Sequence, residues 1–444
     1  DSATVSNVPS ASPSKDLDSN PSQSPTASPI TPDVPAEKGD NVRMIVSKAS
    51  GRTLTDTSTN VIGKAYGFEK SQTWLIEGDA ASAKIKNMLT GKYLQANGSD
   101  LISADASDNN AQLWIIEDTD AGFSALKNAA EESYLLATDG SELTMGEGTD
   151  DAVGQWRLMD VYVNNIDKAD ASWLEGQYGV MTHLIPESGT FKKLAESHNA
   201  KAIAAQLKEI GASYYMLSIG QNSGYWNTEN EVYASMLTKG PKNRFTSEDI
   251  ISEMALELKK EGIKLIAYVT PMCSTNTNAD TDAYGIEVIN RDYQFDMESS
   301  MLWAMTLQEW ADTYGDLVDG WWIDGCYPGR LFTNEIALLY DNALKHGNPN
   351  AIIAYNMNIY LGPHVPYEEY TTGETNLPFG SDLPSLDEKD LWLLPTEDTA
   401  PKFDTGAQWF MLTYIGKWWG DPQIRYSSDL WAELTYEITA NNGS

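Results

Sequence analysis

The residues with the clearest chemical potential lie around position 324. Asp324 directly follows the apolar segment GWWI (320–323) and is followed at once by Gly325. A carboxylate at the end of an apolar strand points away from the sheet, and the rings of Trp321 and Trp322 offer apolar faces that can stack on a sugar and partly exclude water. A carboxylate in this position can also simply cap the next helix. Taken alone, the segment fits both catalysis and capping.

From about residue 170 onward, apolar strands alternate with amphipathic helices, which is the pattern of βαβ units. The predicted strands are GVMTHLI (179–185), YYMLSI (214–219), KLIAYVT (264–270), GWWIDG (320–325), AIIAYN (351–356) and FMLTYIG (410–416). Helices are predicted between them at 201–210, 247–261 and 334–346.

Two architectures share this alternation, an open doubly wound sheet and a barrel. No Gly-rich phosphate loop follows the first strand, which argues against the doubly wound sheet. Polar or aromatic residues stand at the end of nearly every strand, and a barrel gathers all its strand ends around one site. The sequence therefore predicts an α/β fold over residues 163–444, a (β/α)8-like barrel of the TIM type.

Several segments, in order, resemble the α-L-fucosidases, the family 29 glycoside hydrolases. WLEGQYGVMTHL (173–184) is similar to their first strand with its histidine, AAQLKEIGASYYMLSIGQNSGYW (204–226) to their second helix–strand unit, and DIISEMALELKKEGIKLIAYVT (249–270) to the third. GWWIDG then falls where that family has its aspartate nucleophile. The resemblance implies a retaining exo-glycosidase with Asp324 as nucleophile and a second carboxyl group that serves as acid and then base.

For the second carboxyl group the chain offers four glutamates. Glu368, Glu369 and Glu374 lie in VPYEEYTTGETN (365–376), and Glu397 lies in LPTEDT. Glu374 is our choice, because it follows the AIIAYNMN segment at the place where the resemblance implies an acidic residue near a strand end.

The resemblance also implies sugar-binding roles for polar and aromatic residues at the strand ends. In this interpretation His183 hydrogen-bonds a sugar hydroxyl, and Asn356 and Asn358 bind hydroxyls through neutral amides. The full set of predicted substrate-binding residues is His183, Gln221, Asn222, Tyr225, Trp226, Trp321, Trp322 and Asn356.

Two features depart from the fucosidase pattern. Fucosidases carry adjacent histidines after the second strand, whereas this chain has Gln221 and Asn222, which can donate hydrogen bonds but have no titratable proton. The segment RYSSDLWAELTYEITANNGS (425–444) resembles the helix that precedes the eighth strand, so we expect that strand to be absent. Because of the altered histidine pair, a glycosidase acting on a sugar other than fucose is an alternative, and both departures favour a non-catalytic carbohydrate-binding protein as another.

Residues 41–162 carry an internal repeat with a period of about 40 residues, the length of a small repeated unit. Its markers are Gln72-Thr73-Trp74, Gln112-Leu113-Trp114 and Gln155-Trp156, the last of which lacks the intervening residue. Each unit contains short β-rich runs joined by Gly, Asn and Asp turns. Three such units resemble the ricin-B-type β-trefoil lectins and carbohydrate-binding modules, so this part is predicted to be all-β.

In the ricin-B-type family, each lobe binds sugar through a polar residue and an aromatic one. The resemblance therefore points to Asp56, Asn97 and Asp139 as sugar-binding residues. Ordinary turn residues in a trefoil that has lost sugar binding are an equally good interpretation.

Composition restricts the remaining function classes. Lys and Arg total 30 against 64 Asp and Glu, a formal net charge of −34 that repels nucleic acid and anionic membranes. No apolar run of about 18 residues is present, so no membrane span is predicted. Cys273 and Cys326 allow at most one disulfide, and four scattered histidines lack metal-site spacing, so neither a metal nor another cofactor is expected.

Residues 1–40 are rich in Ser and Pro and nearly free of large apolar residues, so we expect a disordered leader. Such a leader is typical of secreted or cell-surface proteins, and we expect an extracellular, bacterial protein whose partners are glycans or glycoproteins. The oligomeric state is left open. Two other functions remain as alternatives: a non-catalytic carbohydrate-binding or adhesion protein, and, less favoured, a metal-dependent hydrolase.

Overall fold

A computed structural model of the protein describes residues 34–137, 140–148, 151–240, 243–289, 292–360, 362–375, 403 and 405–444. Residues 1–33 of the leader, together with Asp139 and Glu397, lie outside these ranges. What the sequence predicts for them therefore stays a prediction.

The described residues between 42 and 160 form one antiparallel sheet of twelve strands. These are β1 (Val42–Ser47), β2 (Thr53–Asp56), β3 (Val61–Lys64), β4 (Trp74–Glu77), β5 (Lys84–Asn87), β6 (Tyr93–Asn97), β7 (Asp100–Ala104), β8 (Trp114–Asp118), β9 (Ser124–Asn128), β10 (Tyr134–Ala137), β11 (Leu143–Gly146) and β12 (Trp156–Asp160). The pairing repeats three times, because β4 pairs with β5, β8 with β9, and β12 with β1. This three-fold arrangement confirms the predicted β-trefoil.

The three repeated tryptophans occupy equivalent places at the centre of the trefoil. All three are fully buried. The indole N–H groups of Trp74, Trp114 and Trp156 donate to the carbonyl oxygens of Leu54, Leu94 and Leu135, at 2.9, 3.0 and 2.9 Å. Each tryptophan thus fills the core and satisfies its one polar atom, which a buried indole requires.

The glutamines of the repeat are structural in two of the three lobes. Gln72 ends the short 3-10 helix Lys70–Gln72 and donates to the carbonyl of Ala65 at 2.9 Å, and Gln112 makes the equivalent bond to Asp105 at 2.8 Å. In the third lobe the matching helix, Ala152–Gly154, ends on Gly154. Gln155 therefore stands one place later than its counterparts, which accounts for its unusual spacing from Trp156.

The described residues after 170 contain a parallel sheet of five strands, each hydrogen-bonded to the next in chain order. These are β13 (Gly179–Thr182), β14 (Tyr214–Ser218), β15 (Lys264–Val269), β16 (Gly320–Asp324) and β17 (Ile352–Asn356). The helices are α1 (Phe191–Ser197), α2 (Ala200–Ile210), α3 (Glu231–Met236), α4 (Ile250–Glu261), α5 (Asn278–Ala283), α6 (Met297–Tyr314), α7 (Asn334–Gly347) and α8 (Ser428–Ala440). Five of the six predicted strands are thereby confirmed.

Local sequence explains where the main helices begin and end. Asn199, Asp249 and Asp296 precede α2, α4 and α6, and each accepts a hydrogen bond from a backbone N–H of the first turn. Gly211 and Gly262 end α2 and α4 in the left-handed conformation, with φ of 79° and 71°, which glycine adopts without strain.

The predicted sixth strand, FMLTYIG (410–416), forms no regular strand in the described residues. Instead, single parallel bridges join Leu412 to Glu374 and Gln408 to Tyr370, so residues 370–374 and 408–412 run side by side after β17. Residues 410–416 and α8 then line a cavity of ≈ 580 Å³ together with β13. An eight-stranded barrel is therefore not confirmed for the described part of the chain.

The trefoil and the parallel-sheet region share one apolar core. The Tyr162 hydroxyl donates to Gln308 on α6 at 2.6 Å, and the Tyr162 carbonyl accepts from the Tyr66 hydroxyl at 2.6 Å. The backbone N–H of Val163 donates to Asn342 on α7 at 2.8 Å. Packing and hydrogen bonds thus connect the trefoil directly to α6 and α7.

His346, at the end of α7, adds a polar contact between the two regions. Its Nδ1 lies 2.5 Å from Asp312 on α6, and its Nε2 lies 3.2 Å from Asp160 on β12. The hydrogen bond to Asp312 raises the pKa of His346, burial opposes this, and Asp160 acts in the same direction as Asp312.

Within the described ranges, the longest and most apolar helices still fall short of what a membrane crossing needs. Cys273 and Cys326 are both buried as free thiols, so the one disulfide that the sequence allowed is not formed.

Candidate active site

Asp324 lies at the carboxyl end of β16, where side chains from neighbouring strands converge on it. It accepts hydrogen bonds from Asn356 at 2.8 Å, from the Tyr268 hydroxyl at 2.5 Å and from Gln221 at 3.4 Å. Asn356 ends β17, Tyr268 lies near the end of β15 and Gln221 follows β14. Parallel strands end at the same edge of a sheet, so residues far apart in sequence meet around one carboxylate.

Asn356 connects Asp324 to the second carboxyl group. Its side-chain nitrogen lies 2.8 Å from Asp324 Oδ1 and 2.6 Å from Glu374 Oε2, and a primary amide has two N–H groups to donate. These two oxygens cannot be farther apart than the sum of the two distances. Facing oxygens this close suit the roughly 5–5.5 Å separation of the carboxyl groups in retaining glycosidases better than the roughly 6.5–9.5 Å in inverting ones.

Glu374 is half-buried and its surroundings favour the protonated form. Burial raises the pKa of Glu374, and the nearby charge of Asp324 raises it further. Hydrogen bonds from Asn356 and Trp419 act in the opposite direction without cancelling the rise. Of the two carboxyl groups, Glu374 is thus suited to donate a proton.

Tyr268 packs beside Asp324 and holds it through its hydroxyl group. Its ring stacks on Trp322, with centroids 5.3 Å apart and planes at 17°, and the His183 ring meets it edge-on at 4.9 Å. Burial lowers the pKa of His183, so its imidazole is neutral at neutral pH. Its Nε2 atom is buried and has no hydrogen-bond partner among the described residues.

The predicted substrate-binding residues separate into two groups. Gln221 joins the cluster through Tyr268, to whose hydroxyl it donates at 2.6 Å, and Asn222 lines a cavity of ≈ 300 Å³ that Asp324 also borders. Tyr225 is half-buried and packs on Phe191, with ring centroids 5.1 Å apart.

The aromatic-wall prediction for Trp226 is wrong, as is the sugar-stacking prediction for Trp321. Trp226 is fully buried against Trp303 and Trp310, where apolar burial holds it in the core behind the strands. Trp321 is 1% exposed and packs in the same core, whereas Trp322, one position along the strand, faces the opposite side. Side chains alternate along a strand, so only Trp322 lies on the same side as Tyr268. Trp322 is itself 2% exposed, so the sugar-stacking prediction for it is wrong as well.

The neighbouring glutamates of the acid/base set have structural roles. Glu368 accepts the backbone N–H of Tyr355 at 2.8 Å, and Glu369 accepts that of Ile353 at 2.8 Å, so both satisfy the free edge of β17. Glu369 also pairs with the buried Lys345. Burial raises the pKa of Glu368 to about 8, against the lowering effect of the N–H groups it accepts from.

The trefoil prediction for Asp56 is also contradicted. Asp56 is 1% exposed, and its carboxylate accepts from the backbone N–H of Ser58 at 2.8 Å and from the hydroxyls of Thr90 and Ser103, both at 2.6 Å. These internal bonds leave it no surface for a sugar. Asn97 is exposed at the end of β6 and stays a prediction.

Sequence reasoning missed Tyr268 and Trp419. Tyr268 could have been found, because a tyrosine near the end of a buried strand needs a partner for its hydroxyl. Trp419 gave no such signal, because its contact with Glu374 depends on the backbone path of residues 408–420, which no local pattern predicts. Among the described residues, no cluster of three or more His, Cys, Asp or Glu side chains could hold a metal ion.

Two family models match separate parts of the chain. Residues 70–156 match a model described as ricin-type beta-trefoil lectin domain-like, and residues 168–369 match one described as endo-alpha(1,4)-fucoidanase Mef1. The second match includes Tyr268, Asp324 and Asn356 and ends before Glu374. No curated protein matches the chain.

Solved structures show similarity to each region. The endo-fucoidan hydrolase MfFcnA4 from glycoside hydrolase family 107 is 17% identical to this chain, with a TM-score of 0.46. The match covers 62% of this chain and 48% of MfFcnA4, so this chain spans less than half of that structure. The designed three-fold symmetric protein ThreeFoil is 24% identical with a TM-score of 0.26, over 27% of this chain and 99% of its own. SeviL, solved with asialo-GM1 saccharide, is 21% identical with a TM-score of 0.25, over 28% and 100%.

The two family matches support a glycoside hydrolase joined to a carbohydrate-binding module. They do not support the finer resemblance to α-L-fucosidases, because the model that matches the parallel-sheet region is that of a fucoidanase.

Proposed function

We propose that this chain is a retaining glycoside hydrolase that cleaves fucoidan at internal linkages, with Asp324 as nucleophile and Glu374 as acid and base. The observation that carries the proposal is the bridge of Asn356, whose one nitrogen lies 2.8 Å from Asp324 and 2.6 Å from Glu374. Such a short separation suits a double displacement, in which no water has to fit between nucleophile and sugar in the first step.

In the first step, an oxygen of Asp324 attacks the anomeric carbon as the glycosidic bond breaks. Glu374 gives its proton to the leaving oxygen, so the departing chain leaves as a neutral alcohol. The raised pKa of Glu374 supports this role, because the group keeps its proton at a pH where an ordinary glutamate has lost it. The product is a glycosyl ester on Asp324.

In the second step, Glu374 is a carboxylate and takes a proton from water. The water oxygen bonds to the anomeric carbon and the ester bond to Asp324 breaks, which restores both carboxyl groups. Two inversions give net retention. Asn356 donates to one oxygen of each carboxyl group and acts as a positioning residue.

The neutral groups around the pair suit recognition of sugar hydroxyls. His183 presents a buried Nε2 atom without a partner in the described residues, and the lowered pKa keeps the ring uncharged. Gln221 can donate and accept, so it too can bind a hydroxyl. We propose both as substrate-binding residues.

Internal cleavage is favoured over the exo action implied by the fucosidase resemblance. The matching family model is described as an endo-fucoidanase. Asp324 borders one cavity of ≈ 300 Å³, and His183 and Trp419 border another of ≈ 580 Å³. The trefoil would hold the enzyme on its polymer and raise the local concentration. A polymeric substrate also agrees with the expected extracellular location.

The test is hydrolysis of fucoidan by the purified protein, followed by reducing-end release and by the size of the products on gels. We expect a ladder of oligosaccharides from the start, no release of 4-nitrophenol from the aryl α-L-fucoside, and retained anomeric configuration by NMR. Asp324→Asn and Glu374→Gln should each lower kcat by about 10²-fold or more. Asp316→Asn, at an exposed carboxylate, is the matched control.

Three results would count against the proposal. Monosaccharide as the first product would restore the exo interpretation. Inverted product would exclude Asp324 as a nucleophile. No turnover by the parent protein, with binding retained, would favour the non-catalytic carbohydrate-binding alternative.

A further inference from the structure

Two lobes of the trefoil carry the same three half-buried side chains at equivalent positions. In the first triad, the Tyr93 hydroxyl donates to Glu77 at 3.0 Å, and the Lys86 ammonium lies 5.8 Å from the tyrosine ring centre. Lys84 adds a second ammonium, also at 5.8 Å.

The second triad repeats this arrangement one lobe later. The Tyr134 hydroxyl donates to Glu117 at 3.1 Å, and the Lys127 ammonium lies 5.7 Å from the ring centre. The strand register shows that the two triads are equivalent, because each lysine is opposite its tyrosine. The carboxylate in each triad comes three residues after the buried tryptophan of its lobe.

The third lobe provides an internal comparison. Its equivalent positions are Met159, Val46 and Thr53, which are at most 3% exposed. Met159 and Val46 belong to the core shared with the parallel-sheet region, and the nearby Arg52 forms an ion pair with Glu298 at 3.2 Å. Here the face is covered by protein, and the triad is replaced.

Solvent contact alone does not explain why the first two lobes have the same three residue types at these positions. A solvent-facing strand position accepts many polar residues, yet both lobes keep a tyrosine bonded to a carboxylate with a lysine beside the ring. A tyrosine offers a large rigid surface that is apolar on its face and polar at its tip. A carboxylate and an ammonium add one acceptor and one donor of strong hydrogen bonds.

We propose that each triad binds one pyranose unit of a glycan chain. The apolar face of the sugar stacks on Tyr93 or Tyr134, the carboxylate accepts from one sugar hydroxyl, and the lysine donates to a neighbouring one. A glutamate and a lysine nearly balance in charge, which suits uncharged hydroxyls on adjacent carbons. Asp56 takes no part in this site, because its carboxylate is buried and bonded internally.

Two sites on one rigid module explain how weak contacts can hold a polymer. When both triads engage the same chain, the second contact is intramolecular, so binding is several-fold tighter than at either site alone. Loss of both tyrosines should therefore cost more than either loss alone.

The experiment is affinity gel electrophoresis of the full chain in gels containing fucoidan, a probe chosen on the basis of the proposed function. An Asp324→Asn background prevents degradation of the probe. We expect Tyr93→Ala and Tyr134→Ala each to weaken retardation roughly three- to tenfold, and the double variant to weaken it by about a hundredfold. Tyr436→Ala, at a tyrosine that is 68% exposed on α8, is the matched control.

Conservative variants separate binding from folding. Tyr93→Phe with Tyr134→Phe keeps both rings and should retain most of the retardation, whereas the alanine pair should not. Retardation of the alanine pair equal to that of the Tyr436→Ala control would overturn the proposal, as would absence of retardation in the parent. Hydrolysis measured in the wild-type chain is a separate readout, so a failure of catalysis is distinguishable from a failure of these sites.

Discussion

Asn356→Ala removes a side chain that contacts both carboxyl groups, through bonds of 2.8 and 2.6 Å. Each hydrogen bond to a charged group contributes about 1.5–3 kcal/mol, and water can replace part of it at a half-buried site. If about one such bond is lost from the transition state, kcat/KM falls roughly tenfold to a hundredfold.

The pH profile gives this prediction a second signature. The hydrogen bond from Asn356 lowers the pKa of Glu374, so its removal raises that pKa further. Activity needs protonated Glu374 and declines as the pH rises through its pKa, so the alkaline limb should move to higher pH. The assay is kcat/KM on fucoidan across the pH range.

Asn350→Ala is the matched control, since Asn350 is exposed just before the opposite end of β17. It should leave both the rate and the profile unchanged. A change in kcat/KM of less than threefold for Asn356→Ala, with an unmoved alkaline limb, would refute the idea that this residue couples the two carboxyl groups.

Three further results are expected. Tyr268→Phe keeps the stacked ring but removes the hydroxyl at 2.5 Å from the proposed nucleophile, so kcat/KM should fall about tenfold or more while the melting temperature changes little; an unchanged rate would contradict this. Glu369→Ala leaves Lys345 buried without its carboxylate and should lower the free energy of unfolding by about 3–5 kcal/mol in urea titrations, whereas the exposed Glu433→Ala should not. His346 has a raised pKa, so its stabilising effect is complete below about pH 6.5 and is lost as the pH rises through the folded-state pKa. His346→Gln should flatten the resulting decline in melting temperature between pH 6 and 9. Equal slopes for the variant and the parent would exclude this role of His346.

Much of the fold follows from local pattern. The spacing of the Gln and Trp repeat predicts the trefoil, and the apolar runs between amphipathic helices predict five of the parallel strands, because both patterns depend on residues close in sequence. The same reasoning was wrong for residues 410–416, which are apolar but have no regular strand pairing in the described structure.

The candidate site was predictable only in part. Asp324 stands out in the sequence because it ends an apolar strand. The predictions for Trp226 and Asp56 were wrong for a common reason. The residue type does not show whether an aromatic ring or a carboxylate lines a site or is buried in the interior. Their burial depends on distant residues such as Trp303 and Ser103.

The sequence by itself determined the repeat of the trefoil, the alternation of strands and helices, and a carboxylate at the end of β16. Only the tertiary structure decided that Asn356 contacts both Asp324 and Glu374. It also decided that Glu368 and Glu369 accept backbone N–H groups at the edge of β17. The physical reason is the sequence separation of the residues that interact. Helix and strand patterns depend on residues a few positions apart, whereas a site depends on which chain ends the parallel sheet brings to one edge.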